Sequence, residues 1–320
     1  MKSFLRWIAC SLWISGGIVF AQASETVLTA ESSGPVSEWT FSYNKQTVMV
    51  YAFAPGQSKP YVREFAPLGG GNILRDSPSD HRHHHALMYG IKVNGLNFWE
   101  ETPGNGIQKV IETSKPQITP VAPGLTRAVI RQRLHWVSAT NAFLPDTTAA
   151  ALLIEDRTLT LTVDEAGHEV ALVWDAAFEV GANAGTVQLE GATYHGLGMR
   201  FQKPLDSIAR HFWGGGAPDL GENRQDVSSH AWEAVSFDNP GKPATIALFG
   251  LPSNPAGEAH FFSMRTPFAY LSATQGLDSK PLTYHGGDKF HLRYLVTLHP
   301  EIQSSESLQK RAEKWTADNP

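Results

Sequence analysis

The chain has 320 residues, with 26 Lys or Arg against 31 Asp or Glu and a formal charge of −5. That acidic balance excludes a general nucleic-acid binder, which needs a basic face for phosphate. The single cysteine is Cys10, so beyond it there are no disulfides, cysteine–zinc sites, iron–sulfur clusters or cysteine nucleophiles.

The first residues read as a secretory signal peptide. Lys2 and Arg6 form a basic start, an apolar stretch runs from Phe4 to Phe20, and Ala21-Gln22-Ala23 is a small-x-small cleavage site. Residues 24–320 then form a single domain of 297 residues with a charge of −7, because the removed segment carries two basic residues and no acidic one. The expected location is the periplasm or the cell exterior. No later apolar run reaches the roughly 18 residues of a membrane-spanning helix. Without disulfides the domain must rely on a large core, which a chain of this length can bury.

The dominant periodicity is two. Leu159, Leu161 and Val163 alternate with threonines. Leu172, Trp174, Ala176, Phe178 and Val180 share one face, and so do Phe290, Leu292, Tyr294, Val296 and Leu298. Shorter strands are expected at 38–43, 47–53, 87–93, 108–113, 125–137, 231–237 and 244–251, separated by Gly, Pro, Asn and Asp clusters. One helix is expected, at about 305–315, with Leu308, Ala312 and Trp315 on one face. With no alternation of strand and helix, the predicted fold is all-β, a large antiparallel β-sandwich with a short C-terminal helix.

The segment richest in chemistry is Asp76-Ser77-Pro78-Ser79-Asp80-His81-Arg82-His83-His84-His85. If it is extended, His81, His83 and His85 point one way, and Arg82 and His84 the other. Three readings stay open. The first is a ligand pocket whose histidines bind and exchange protons with a polyhydroxylated ligand. The second is a divalent metal ion held by His81, His83 and His85. The third is a solvated polar loop. No cofactor is required by the first or the third.

Further along, Trp99 and Glu100 follow an Asn94-Gly95 hairpin signal and are expected to face the histidines. The stretch Tyr194-His195-Gly196-Leu197-Gly198-Met199-Arg200 offers His195 and Arg200 beside glycines that allow close approach. Trp213 precedes a long loop at 214–230 and is another candidate for the pocket rim. His81, His83, His84, Glu100 and His195 are thus candidates for acid–base catalysis, and Asp80, Trp99, Arg200 and Trp213 for substrate binding. No dinucleotide fingerprint, nucleophile elbow or His-Glu-x-x-His motif is present.

These motifs carry a resemblance. Asp80-His81-Arg82-His83-His84-His85-Ala86-Leu87, then Val93-Asn94-Gly95 and Asn97-Phe98-Trp99, resemble the Asp-His-Pro-His-His-Arg-Gly and Asn-Gly…Phe-Trp stretches of the PmoA-like family. Gly196-Leu197-Gly198-Met199-Arg200 resembles its Gly-Leu-Gly-x-Arg stretch, and the closing Gly286–Tyr294 segment fits as well. The sequence departs from the pattern at Arg82, His85 and Ala86, where proline, arginine and glycine are usual. The resemblance implies a galactose-mutarotase-like supersandwich, with carbohydrate as the expected partner. The family's oxygenase label is read as a name, since methane oxidation of that kind occurs in a membrane complex. The competing function is glycan binding without turnover.

The signal-peptide reading predicts a mature N-terminus at Ser24. Mass spectrometry of exported protein should find that end; intact Met1 protein confined to the cytoplasm would contradict it.

Overall fold

The computed structural model describes residues 27–32, 37–220 and 224–320. The expected signal peptide lies outside the described residues. Among those described, the strands form two nine-stranded sheets and one four-stranded sheet, and all the pairings are antiparallel.

The long period-two runs build the second sheet. Leu153–Asp164 pairs with Glu169–Val180, which pairs with Lys289–His299. The apolar parity points inward: Leu159, Leu161, Val163, Leu172, Trp174, Ala176 and Phe178 are all buried, as are Leu292, Tyr294, Val296 and Leu298. On the other side of this sheet, the helix Ser305–Ala317 packs Leu308, Ala312 and Trp315 against Ala171, Trp232, Phe249 and Leu295. The Ser304 hydroxyl caps that helix by accepting from the Ser307 N–H. No helix among the described residues is long and apolar enough to cross a membrane.

The first sheet carries the site. Its central strands are Tyr61–Phe65, Leu87–Gly90, Gly196–Arg200, Tyr270–Thr274 and His260–Met264, in that order. Their inner parity, Val62, Leu87, Tyr89, Leu197, Met199, Leu271, Ala273 and Phe261, enters the main core between the sheets. Their outer parity is also covered: Tyr61, Met88, Phe262 and Tyr270 join Trp99 and Phe268 in a separate aromatic cluster. The expected strand 87–93 is divided. Leu87–Gly90 belongs to the first sheet and Lys92–Val93 to the four-stranded one. The break falls where Gly90 passes the Phe98–Trp99 backbone so closely that a Cβ would lie 2.9 Å from the Phe98 carbonyl.

A charged pair sits between the sheets. Glu155 and Arg157 lie on the inward parity of Leu153–Asp164 and are fully enclosed. Arg157 Nε donates to Glu155 Oε1 at 2.6 Å and its Nη2 to Oε2 at 2.9 Å, while Trp136 Nε1 donates to the same carboxylate. Removing one partner strands a buried charge, which costs about 3–5 kcal/mol. Arg157→Met should therefore lower unfolding free energy by about that much, and the double variant Glu155→Leu/Arg157→Met by clearly less. Urea denaturation of the three proteins checks both outcomes.

Candidate functional site

The histidine segment is a knot of turns rather than an extended strand. Asp76 and His85 form an isolated bridge, and Ser77 N–H donates to the His84 carbonyl at 2.9 Å. Inside that bridge, His81 N–H donates to the Pro78 carbonyl and His84 N–H to the His81 carbonyl. Ala86 closes the knot at φ 47°, a left-handed conformation in which glycine avoids Cβ strain. The alternation that an extended backbone would give the histidines is therefore absent.

The turn gathers His81, His83 and His84 and sends His85 elsewhere. The His84 ring lies 4.7 Å from both the His81 and His83 rings. Both ring nitrogens of His85 are taken up, Nδ1 by Asp76 at 2.8 Å and Nε2 by Glu101 at 2.9 Å, and its ring stacks on Tyr61. The alternative metal set His81, His83 and His85 therefore does not converge. Among the described residues, no group of three or more His, Cys, Asp or Glu is arranged to hold a metal ion.

A cavity of about 370 Å³ opens in front of the three imidazoles. Glu100 lines it together with Tyr194, Gln225, Phe262, Met264, Phe268 and Tyr270. Trp99 faces the histidines as expected, but from below: it is fully buried, stacked on His195 at 5.2 Å and edge-on to His84 at 6.2 Å. It holds rings in place and offers no free face. Gly198 makes this packing possible, because a Cβ there would fall 1.8 Å from the Tyr270 hydroxyl and 2.9 Å from Trp99.

Arg200 is buried behind the pocket. Its Nη2 donates to Asp80 at 2.9 Å, Nη1 lies 3.5 Å from His84 Nδ1, and the guanidinium covers the Phe268 ring at 3.3 Å. Its role is to anchor the turn, with Asp80 as counter-charge. Trp213 is not at this pocket. It stacks on His230 at 4.4 Å, near the buried cluster of Glu233, His211 and Ser263 that bridges the two sheets.

Residues that are not among the sequence candidates form a charged wall beside the turn. Lys59 Nζ donates to Glu101 Oε1 at 2.7 Å, and the Ser58 hydroxyl donates to the same oxygen. The Tyr61 hydroxyl donates to Asp76 at 3.0 Å. Asp76 and Glu101 flank the histidine and Trp-Glu motifs and were findable by adjacency; Lys59 and Phe268 carry no local signal.

The imidazoles differ in charge. Burial, and then the neighbouring His83, His81 and Arg200, hold His84 down to about 2. Burial, with Lys92 and His83, holds His195 down to about 3. His83 is lowered by burial and by Lys59. Burial acts against protonated His85 as well, but its bonds to Asp76 and Glu101 outweigh that and raise it. The Asp80 carboxyl is held well below the usual range, chiefly by the Arg200 hydrogen bond.

The model of a family of unknown function (DUF6807) matches residues 38–313, and the chain belongs to that family. A search of curated proteins finds no match. Among solved structures, the chain is similar to the α-galactosidase AgaB from Geobacillus stearothermophilus, at 10% identity and a TM-score of 0.46 over 85% of this chain and 41% of that one. The chain thus spans about two fifths of the galactosidase's length. It is also similar to a putative aldose 1-epimerase from Klebsiella pneumoniae, at 9% identity and a TM-score of 0.44 over 92% of this chain and 88% of that one. A galactose mutarotase related enzyme from Lactobacillus acidophilus aligns at 7% identity and a TM-score of 0.33, over 87% of this chain and all of that one.

The lowered histidines give stability a definite pH slope. An unfolded imidazole binds its proton near 6.5, so below that pH the unfolded chain takes up more protons than His84 and His195 do in the fold. Each lowered group removes up to about 1.4 kcal/mol per pH unit of acidification. His85 works in the opposite sense, since its raised value adds stability that is present at low pH and lost as pH rises through it. Two lowered groups with large shifts outweigh one raised group. Urea midpoints should therefore fall from pH 7 to pH 5, and His195→Gln should flatten that fall.

Proposed function

We propose that this family member binds a sugar ring in the cavity before His81, His83 and His84, and performs acid–base chemistry on it. The observation that carries the reading is the pairing of apolar rings and polar groups around one cavity of about 370 Å³. Phe262, Phe268, Tyr194 and Tyr270 offer surface for the C–H face of a sugar, while the imidazoles and Glu100 meet its hydroxyls. A pocket of this size is ample for a monosaccharide unit.

The imidazoles divide the work. His83 lines the cavity, and burial and Lys59 lower it from the ordinary imidazole value, which favours its neutral form, so it can accept a proton from a sugar hydroxyl or ring carbon. His81 lies beside it, at a ring separation of 5.9 Å, and offers a second nitrogen to the ligand. His84, held down to about 2, does not exchange protons near neutrality. With Arg200 at its Nδ1, its remaining ring N–H serves as a fixed hydrogen-bond donor. His195 sits behind Trp99 and positions that ring. Epimerisation, hydrolysis and elimination all use such a base, and glycan binding without turnover uses the same aromatic lining.

The test is a panel of mono- and oligosaccharides, measured by calorimetry and by product analysis. His83→Ala should lower turnover, or affinity if there is no turnover, by about tenfold or more, with thermal melts near those of the parent. Undiminished binding and turnover in His83→Ala would refute the assignment. Binding without product across the panel would establish the non-catalytic reading.

A further inference from the structure

The charges around the cavity do not balance evenly. Arg200 is neutralised by Asp80 at 2.9 Å. Lys59 is fully enclosed and paired with Glu101 at 2.7 Å. His85 lies between Asp76 and Glu101. No Lys or Arg side chain lines the cavity. Glu100 does line it, as the one carboxylate among the lining residues, and its side chain has no hydrogen-bond or ion-pair partner among the described residues. The negative charge left over therefore faces the ligand.

What surrounds that carboxylate matters equally. Four aromatic side chains, Tyr194, Phe262, Phe268 and Tyr270, share the cavity with it, and one face of the Phe268 ring is already covered by the Arg200 guanidinium. The face of an aromatic ring is electron-rich and attracts an ammonium ion, and a carboxylate beside such faces adds a direct counter-charge. The same arrangement repels a carboxylate ligand, because the cavity offers it no cation and places a like charge opposite. A neutral sugar gains hydroxyl hydrogen bonds and contact of its C–H face with the rings there, but no attraction between charges.

We infer that the cavity selects a sugar carrying a free protonated amine over its neutral counterpart and rejects the corresponding uronic acid, with Glu100 as the selecting residue. This rests on the sugar-binding reading above and narrows it to a substrate class. The amine nitrogen would lie between the Glu100 carboxylate and the aromatic faces, and the ring hydroxyls would turn to His81 and His83. N-acylation of the amine removes its charge and with it the advantage.

The experiment is calorimetry on the full-length mature protein at about pH 7, where a primary amine is still largely protonated. The probes are glucosamine, N-acetylglucosamine, glucose and glucuronate, with the galacto series in parallel. The expected result is that the free amino sugar binds about tenfold more tightly than the neutral one, a difference of about 1.4 kcal/mol, with the uronate weakest. Glu100→Gln should bring the amino, neutral and acidic sugars to within about twofold of one another, whatever the overall affinity. Equal affinities in the parent protein, a preference for the uronate, or an amine preference that survives Glu100→Gln would each overturn the inference alone. If no sugar of either series binds, the sugar reading itself fails and this inference with it.

Discussion

The Glu155–Arg157 pair is the constraint on which the arrangement of the two sheets depends. A guanidinium between sheets must have every direction filled, and this one does. Besides Glu155, it reaches Gln108 Oε1 at 3.1 Å, the Tyr51 hydroxyl at 3.3 Å and the Pro60 carbonyl at 3.4 Å, and it lies 4.4 Å from the centre of the Trp174 ring. Burial pushes the Tyr51 phenol up to about 12, so it stays protonated and passes its hydrogen to Gln132 at 2.7 Å. A network of this kind tolerates one register only, since sliding either sheet would orphan buried donors. Its reach extends toward the pocket. Pro60 follows Lys59, Lys59 holds Glu101, and Glu101 holds His85 at the end of the histidine turn. Gln108 also donates to the Tyr89 carbonyl, on the strand that leaves that turn.

Four histidines close together would repel one another if all were charged. The structure avoids this by giving them different surroundings. His85 is drawn out of the group by two carboxylates and favours its charged form there. His84 is pressed among Trp99, Phe268 and Tyr270 beside the Arg200 cation and stays neutral. What remains toward the cavity is a small set of imidazoles with free nitrogens and little mutual repulsion. The wall of Asp76, Glu101 and Lys59 is therefore part of the site's electrostatics, although His85 itself does not line the cavity.

Much of the fold was legible because a strand with one buried face writes its period directly into the sequence. Leu153–Asp164 shows both the strength and the limit of that reading. Leu159, Leu161 and Val163 gave the inward parity, and Glu155 and Arg157 stand on that same parity. Hydropathy placed the boundary at Leu159, where phase would have carried the strand inward through two charges. The histidine segment departs from an extended backbone for a different reason. Local bonds from Ser77, His81 and His84 compete with extension, and left-handed residues at Ser77 and Ala86 carry no glycine to announce them. Trp213 is a rim candidate in the sequence because it precedes a long loop, yet its ring stacks on His230, and it is Gln225 of that stretch that lines the cavity. Tertiary neighbours such as Phe268 and Lys59 come from segments far from the motif and leave no trace beside it.

The pocket floor is in effect a second, minor core on the outer side of the first sheet. Leu197 and Met199 face the main core, while Gly198 and Arg200 of the same strand face the aromatic layer. Both faces of a central strand are thus buried, which normally demands apolar residues on both. Here the outer face uses a glycine, to admit Trp99 and Tyr270, and an arginine whose charge is returned by Asp80 from the histidine turn. The turn is therefore fastened to the sheet by its acidic end and to the wall of charges by His85. Between these two fastenings His81, His83 and His84 have only their rings left to point, and they point into the cavity.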